Sequence, residues 1–179
     1  AEGNGPIPEQ EPERQEDCYS GEWTDWQMAA IPIKSLGREL VDNMADMAHF
    51  GPIHYSKVKS FKNTMEGHKF VQYMVGGHQI LTEGAGGLIT SVATYEGPAY
   101  MTTTMTGLMD GHPMTTHLLV SHIPVDMHNF VINFGVMMKK DPNVSEAGNK
   151  AMVEEYTEKN IESFHQDVAI WNNKCIIDN

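Results

Sequence analysis

Two neighbouring segments decide the fold: His128–Met138, HNFVINFGVMM, and Ser145–Asn173, SEAGNKAMVEEYTEKNIESFHQDVAIWNN. In the first, Phe130, Ile132, Phe134, Val136 and Met138 recur at every second position, the period of a strand with one buried face. In the second the period changes. Phe164, Asp167, Val168 and Trp171 fall at i, i+3, i+4 and i+7, which predicts one long helix capped by Asn143 or Ser145. Working outward, strand-like runs separated by turn residues occupy 68–75, 88–95, 99–106 and 115–123. Residues 26–33 read as an edge strand, because Pro32 cannot donate to a ladder. Residues 36–50 read as a helix with Leu40, Met44 and Met47 on one face, stopped by Gly51-Pro52. Strands bracketed by helices predict an α+β domain, a curved antiparallel sheet packed around the long C-terminal helix.

Composition bounds what such a domain does. The chain has 179 residues, 40% of them apolar, enough for one sizeable core and too apolar for a disordered segment. A net charge of −12 argues against nucleic acid, which selects basic surfaces. No apolar run approaches the ~20 residues of a membrane span. Cys18 and Cys175 make no disulfide framework, and no basic-then-apolar signal segment opens the chain, so a reducing, cytoplasmic setting is expected. Residues 1–22 carry seven acids against Arg14 alone, with Pro6, Pro8 and Pro12, and read as an extended, solvated lead-in to a domain at 23–179. The opening Ala1, in place of Met, suggests a processed or truncated product.

The chemistry concentrates in Asp42–His54, DNMADMAHFGPIH. Asp46 and His49 are i, i+3 and share a helical face. His49 and His54 are five apart, about 140° around a continuous helix, so they converge on one ion only if the helix breaks. Gly51-Pro52 is placed to break it between them. A remote residue completes the set. Asp167 lies in an apolar helical face, where an unpaired carboxylate is costly and needs a cation or strong donors. Two imidazoles and one carboxylate are the ligands of the facial triad of non-haem Fe(II) oxygenases, and zinc takes the same ligand types. Asp46 then fits behind His49, accepting its second ring N–H and fixing the tautomer. Taken singly, each feature has a plainer reading: a surface histidine pair, a boundary acid reaching water, a helix-surface aspartate.

The string VDNMADMAHFGPIHY (Val41–Tyr55), with D-x-x-H-x-x-x-x-H at Asp46, His49 and His54, resembles the mononuclear-iron motif of Rieske non-haem iron oxygenases. FKNTMEGH (Phe61–His68) and QDVAIWNNKCIIDN (Gln166–Asn179) are similar to steroid-hydroxylating members of that family. The resemblance implies a helix-grip (START-like) catalytic domain, Fe(II) on His49, His54 and Asp167, and Asp46 as the acid that bridges to a Rieske cluster on a neighbouring subunit of a trimer. It also implies O2 as co-substrate, an apolar substrate hydroxylated at a C–H bond, and electrons from NADH through a separate reductase. A Rieske [2Fe–2S] cluster needs a C-x-H and a C-x-x-H pair, and neither Cys18 nor Cys175 provides one. The 179 residues therefore read as most of a catalytic domain without the electron-delivery domain, inactive with NADH by themselves. Gly51-Pro52 stands where aromatic residues are expected in steroid hydroxylases.

Outside the motif, Met101, Met105, Met109, Met114, Met137 and Met138, with Thr102, Thr104 and Thr106 interleaved, suggest an adaptable apolar cavity for a sterol-sized ligand. Such a cavity would equally serve a helix-grip module that binds a sterol without redox chemistry, or a zinc hydrolase built on the same ligands. Asn43 is near enough to orient a ligand. Gly76-Gly77 and Gly84–Gly87 are turn signals, and His117, His122 and His128 carry no assigned role.

Overall fold

The structure is a computed structural model that describes residues 12–82, 87–97, 99–109 and 111–174. Seven strands form one antiparallel sheet: β1 Gln27–Ile33, β2 Val58–Glu66, β3 Lys69–Gly76, β4 Ile89–Glu96, β5 Tyr100–Met109, β6 His112–Pro124 and β7 Phe130–Met138. Their order is β1-β7-β6-β5-β4-β3-β2. The strands β2 to β7 are thus a plain meander, and β1 closes onto the β7 edge with Ile31 opposite Ile132. Pro32 lies on this edge strand, where a missing donor is tolerated. The expected strands all form, within a few residues at each end. One strand, β2, has no counterpart among them. Its sequence, VKSFKNTME, is polar on both faces, and it is the other edge of the sheet, where lysines such as Lys59 and Lys62 deter pairing with a further chain. A two-residue turn joins β2 to β3, with Gly67 at φ +64°, a conformation strained for any side chain.

The long helix of the C-terminal half is α3, Glu146–Trp171, preceded by α1 Glu39–Ala45 and α2 Phe50–His54. Ser145 caps α3, its Oγ accepting from the Gly148 N–H at 3.1 Å. The helix lies on one face of the sheet, and Val153 and Tyr156 are fully buried there with Ile132 and Val136. Met101, Met105, Met114 and Met138 pack into this same core cluster. Met137 and Thr102, from the same set, instead line a cavity of about 640 Å³.

The chain between β1 and β2, residues 34–57, crosses from one edge of the sheet to the other and carries α1 and α2. The single helix expected over 36–50 is two. The helix α1 stops at Ala45, because the Asp46 carboxylate accepts the Ala48 N–H at 2.7 Å and competes with helical bonding. Leu40 and Met44 are buried as predicted, but Met47, beyond the break, is 52% exposed. Gly51-Pro52 lies inside α2, not between two helices. Proline fits there because a first-turn N–H has no helical acceptor anyway.

Residues 1–11, half of the expected solvated lead-in, lie outside the described residues, as do 83–86, which take in most of the Gly84–Gly87 turn signal, and 175–179 with Cys175. From Glu13 the chain is not free in solvent. The Glu13 N–H donates to both oxygens of the buried Glu96 carboxylate at 3.1 Å, and Lys69 pairs with Glu13 at 2.8 Å and Glu96 at 3.3 Å. A 3-10 helix follows at Glu16–Ser20. Buried Trp23 then bridges to Lys139, and Thr24 and Met138 exchange hydrogen bonds at 2.9 and 3.0 Å. Charge alone predicted solvation; specific cationic and main-chain partners on the sheet overcome it.

Candidate metal centre

The helices α2 and α3 bring His49, His54 and Asp167 together. His49 is the residue before α2 and His54 its last, so their side chains leave from the two ends of a single turn. Their rings meet at 5.3 Å between centroids and 77° between planes. No break between them is needed, because each reaches the same point from its own end of the turn. Asp167 comes from the last two turns of α3 and is 6% exposed. His49 Nε2 is 4.0 Å from Asp167 Oδ1, and His54 Nε2 is 3.3 Å from Asp167 Oδ2. One ligand atom from each of the three lies within 4.8 Å of the others.

Each imidazole is held from behind. His49 Nδ1 donates to the main-chain carbonyl of Asp46 at 2.7 Å, and His54 Nδ1 donates to Gln166 Oε1 at 2.9 Å. With the protons on Nδ1, both Nε2 lone pairs face the Asp167 carboxylate. Two lone pairs and a carboxylate converging in a buried site repel one another unless a cation or a proton sits among them. The donor set therefore fits a divalent metal. Asn43 Nδ2 donates to Asp167 Oδ1 at 3.1 Å and fixes the rotamer of the carboxylate.

Asp46 does support His49, through a different atom from the one expected. Its carboxylate is 3.7 Å from His49 Nδ1, half exposed and committed to Ala48, so the backbone carbonyl takes the ring proton instead. Three supporting groups carried no assigned role in the sequence: Gln166, His78 and Ser163. Gln166 adjoins Asp167 and was hidden by that adjacency. His78 sits in a Gly-Gly-His turn with no periodic signal at all. It stacks on His54 at 5.1 Å between centroids. Its Nδ1 accepts from the Ile80 and Leu81 N–H groups at 3.2 and 3.3 Å, so its Nε2 carries the proton and donates to Ser163 Oγ at 2.9 Å.

The electrostatics separate these histidines. Burial, reinforced by His54, pushes His78 down to about 4. Burial also lowers His49, against the opposing pull of Asp167 and the Asp46 carbonyl. Burial acts the same way on His54, but the hydrogen bond and charge of Asp167, with Gln166, overcome it and raise its pKa. A cavity of about 470 Å³ opens on His49 and Asp167, lined also by Asn43, Pro52, Ile53 and Trp171.

A seven-stranded antiparallel sheet gripping a C-terminal helix is the helix-grip architecture. A START superfamily protein from Mycobacterium smegmatis shares it, with a TM-score of 0.54 at 9% identity over 80% of this chain and 93% of that one. A quaternary ammonium Rieske monooxygenase shares it too, with a TM-score of 0.55 at 14% identity over 85% of this chain and 40% of that one. At these identities the likeness is one of fold. The class is thus the helix-grip domain that Rieske oxygenases also use. More particularly, the chain belongs to the family of the 3-ketosteroid 9alpha-hydroxylase C-terminal domain, whose family model matches residues 1–179. The 3-ketosteroid-9-alpha-monooxygenase oxygenase component of Rhodococcus rhodochrous is 41% identical over 165 residues, 88% of this chain and 42% of that protein. The chain spans about half the length of the curated relatives it matches. Among the described residues, no helix is long and apolar enough to cross a membrane.

Proposed function

We propose that this chain is the catalytic portion of a Rieske-type non-haem iron monooxygenase that hydroxylates an apolar, steroid-like substrate, with Fe(II) held by His49, His54 and Asp167. The observation that supports it most is the pair of Nε2 atoms turned on one buried carboxylate, each ring fixed through its Nδ1. Ferrous iron held by His49, His54 and Asp167 would supply O2 activation.

The chain's own residues prepare that position. The Asp46 carbonyl and Gln166 hold the imidazoles in the ligating tautomer, Asn43 orients Asp167, and the neutral His78 ring covers one side of His54 and keeps water off it. The Asp46 carboxylate, exposed beside His49, is suited to link the centre to an electron donor outside the fold. No C-x-H or C-x-x-H pair occurs in the 179 residues. A [2Fe–2S] cluster would therefore be supplied from outside them, on the neighbouring subunit of a homotrimer, and be fed by an NADH-dependent reductase. The relative's description as an oxygenase component fits such a division of labour. The substrate class rests on that relative's name as a 3-ketosteroid monooxygenase.

Anaerobic reconstitution with ferrous iron, followed by metal analysis and the electron paramagnetic resonance of the nitrosyl adduct, tests the reading. One iron per chain is expected, lost in His49→Ala and in Asp167→Ala, with the nitrosyl spectrum perturbed by a 3-ketosteroid. Stoichiometric zinc with no iron uptake would point to hydrolytic chemistry instead. Steroid binding unaffected by chelation, with no nitrosyl signal, would leave only a binding module.

A further inference from the structure

A second group of metal-ligating side chains lies on the face of the sheet away from α3. Along β6, Met114, Thr116, Leu118 and Val120 are buried, three of them in the core cluster against the helix, so the alternate residue His117 points the other way. His117 is nevertheless only 4% exposed, because the chain that docks ahead of β1 covers it. Trp23 stacks on its ring at 4.3 Å between centroids and 22° between planes, and the Glu16–Ser20 turn brings up Asp17 and Cys18. The Nε2 atom of His117 faces the Asp17 carboxylate with both oxygens at 3.5 Å, and Cys18 Sγ is 4.0 Å from Asp17 Oδ1. A ligand atom from each of the three lies within 4.8 Å of the others.

We propose that Asp17, Cys18 and His117 form a binding site for Zn²⁺ or a like thiophilic divalent cation, which fastens the segment ahead of Trp23 to the outer face of the sheet. Three observations converge on it. First, His117 Nδ1 is 3.0 Å from Thr104 Oγ1. A hydroxyl behind one ring nitrogen, with the other aimed at a carboxylate and a sulfur, is the support a ligating imidazole uses. Second, the present contacts of Nε2 are at the long limit of a hydrogen bond, so this buried atom is poorly served by Asp17 alone. Third, a cavity of about 640 Å³ adjoins Cys18, Trp23 and His117 and gives solvent access for a fourth, water ligand. Thiolate, imidazole and carboxylate together select zinc over magnesium or calcium, which take oxygen ligands. Tetrahedral zinc places its ligands roughly 3.5 Å apart, so the half-exposed turn closes by about 1 Å around the ion. Burial and the Asp17 charge hold the Cys18 thiol up at about 11. On binding, the S–H bond breaks, its proton passes to solvent, and the sulfur donates its freed pair to the metal, with no change of oxidation state.

The test uses the chain with Cys175→Ser, so that Cys18 is its single thiol, and Co²⁺ as the spectroscopic probe. Beyond the metal taken up by His49, His54 and Asp167, one equivalent is expected to bind with thiolate-to-cobalt charge-transfer absorption and to be displaced by equimolar Zn²⁺. The band persists when His49→Ala and His54→Ala remove the other cluster, which separates this site from the proposed iron centre. It is lost in Cys18→Ser, shifts in His117→Gln, and needs ~10-fold more metal in Thr104→Val. Zn²⁺ raises the melting midpoint of the parent and not of Cys18→Ser, whose fold is verified by circular dichroism. Absence of the thiolate band, its indifference to His117→Gln, or its disappearance with the His49 and His54 substitutions would each overturn the proposal.

Discussion

Ile132 and Val136, at the centre of the sheet, expose nothing to solvent, and their partners across the core, Val153 and Tyr156, expose nothing either. The crossover that carries His49 and His54 is put together otherwise. Its turns end on an Asp46 carboxylate capping Ala48, a Gln72 amide donating to the Met44 carbonyl, and a buried Glu39 held by Lys174 at 2.6 Å. The first region is stabilised by apolar area, which is additive and tolerant of detail. The second is stabilised by directional bonds to polar groups, and at its centre stands a carboxylate faced by two imidazole lone pairs. The sheet sets how firmly the chain folds; the crossover sets how well three donors are aimed.

Substitutions therefore divide between stability and metal affinity. The largest effect belongs to the sheet: Ile132→Ala removes buried methylenes and leaves a cavity, costing about 2–5 kcal/mol in urea denaturation. Iron stoichiometry in the fraction that remains folded is unchanged. A variant that stays folded but loses its iron would break the division. Next comes pH. His78 binds its proton more weakly folded, at about 4, than unfolded, near the ordinary 6.5. The unfolded state thus takes up more protons between those values. Its contribution is complete above about pH 6.5 and is lost as pH falls toward 4, by about 3 kcal/mol at most. His54, which faces it and is raised by Asp167, titrates against the same change, so the assignment rests on His78→Gln flattening this part of the curve in metal-free protein.

A smaller effect is expected at Gln166. Gln166→Leu frees the His54 ring without touching a ligand atom, and should weaken ferrous binding by ~10- to 100-fold while leaving urea midpoints nearly unmoved. An affinity equal to the parent's would show that the ring needs no support from behind. The smallest is Ser145→Ala, which removes the cap of α3 and costs about 1 kcal/mol. It lies at the opposite end of the helix from Asp167, so iron affinity should not respond. A parallel loss of both would mean that the two regions are coupled along α3.

The same division explains what the sequence makes legible. Alternating Phe130 to Met138 and the apolar positions around Asp167 announce β7 and α3, because burial imposes a period on residue type. The strand β2 escapes that logic, since an edge strand only partly covered, through Phe61 and Asn63, has little reason to alternate. The proposed ligand triad is readable because only a few residue types hold a metal. Its support is not, because main-chain groups do much of the work. The Asp46 carbonyl, for example, takes the place foreseen for a carboxylate, and any residue at 46 supplies a carbonyl. His78 illustrates the limit further: its partners are two backbone N–H groups and a serine far along the chain, and no spacing connects them.

The crossover from β1 to β2 spans the full sheet, six strand spacings or roughly 29 Å. The strands β2 to β7 zip up hairpin by hairpin from near neighbours in the chain. The strand β1 must instead find β7 from the other end of the domain, with Gln27 opposite Val136, and this long closure is entropically expensive. Until it docks, the strip bearing His49 and His54 is moored at one end only. A metal held by His49, His54 and Asp167 would therefore depend on this closure, because two of its three ligands ride on the strip that β1 and β2 hold at either end.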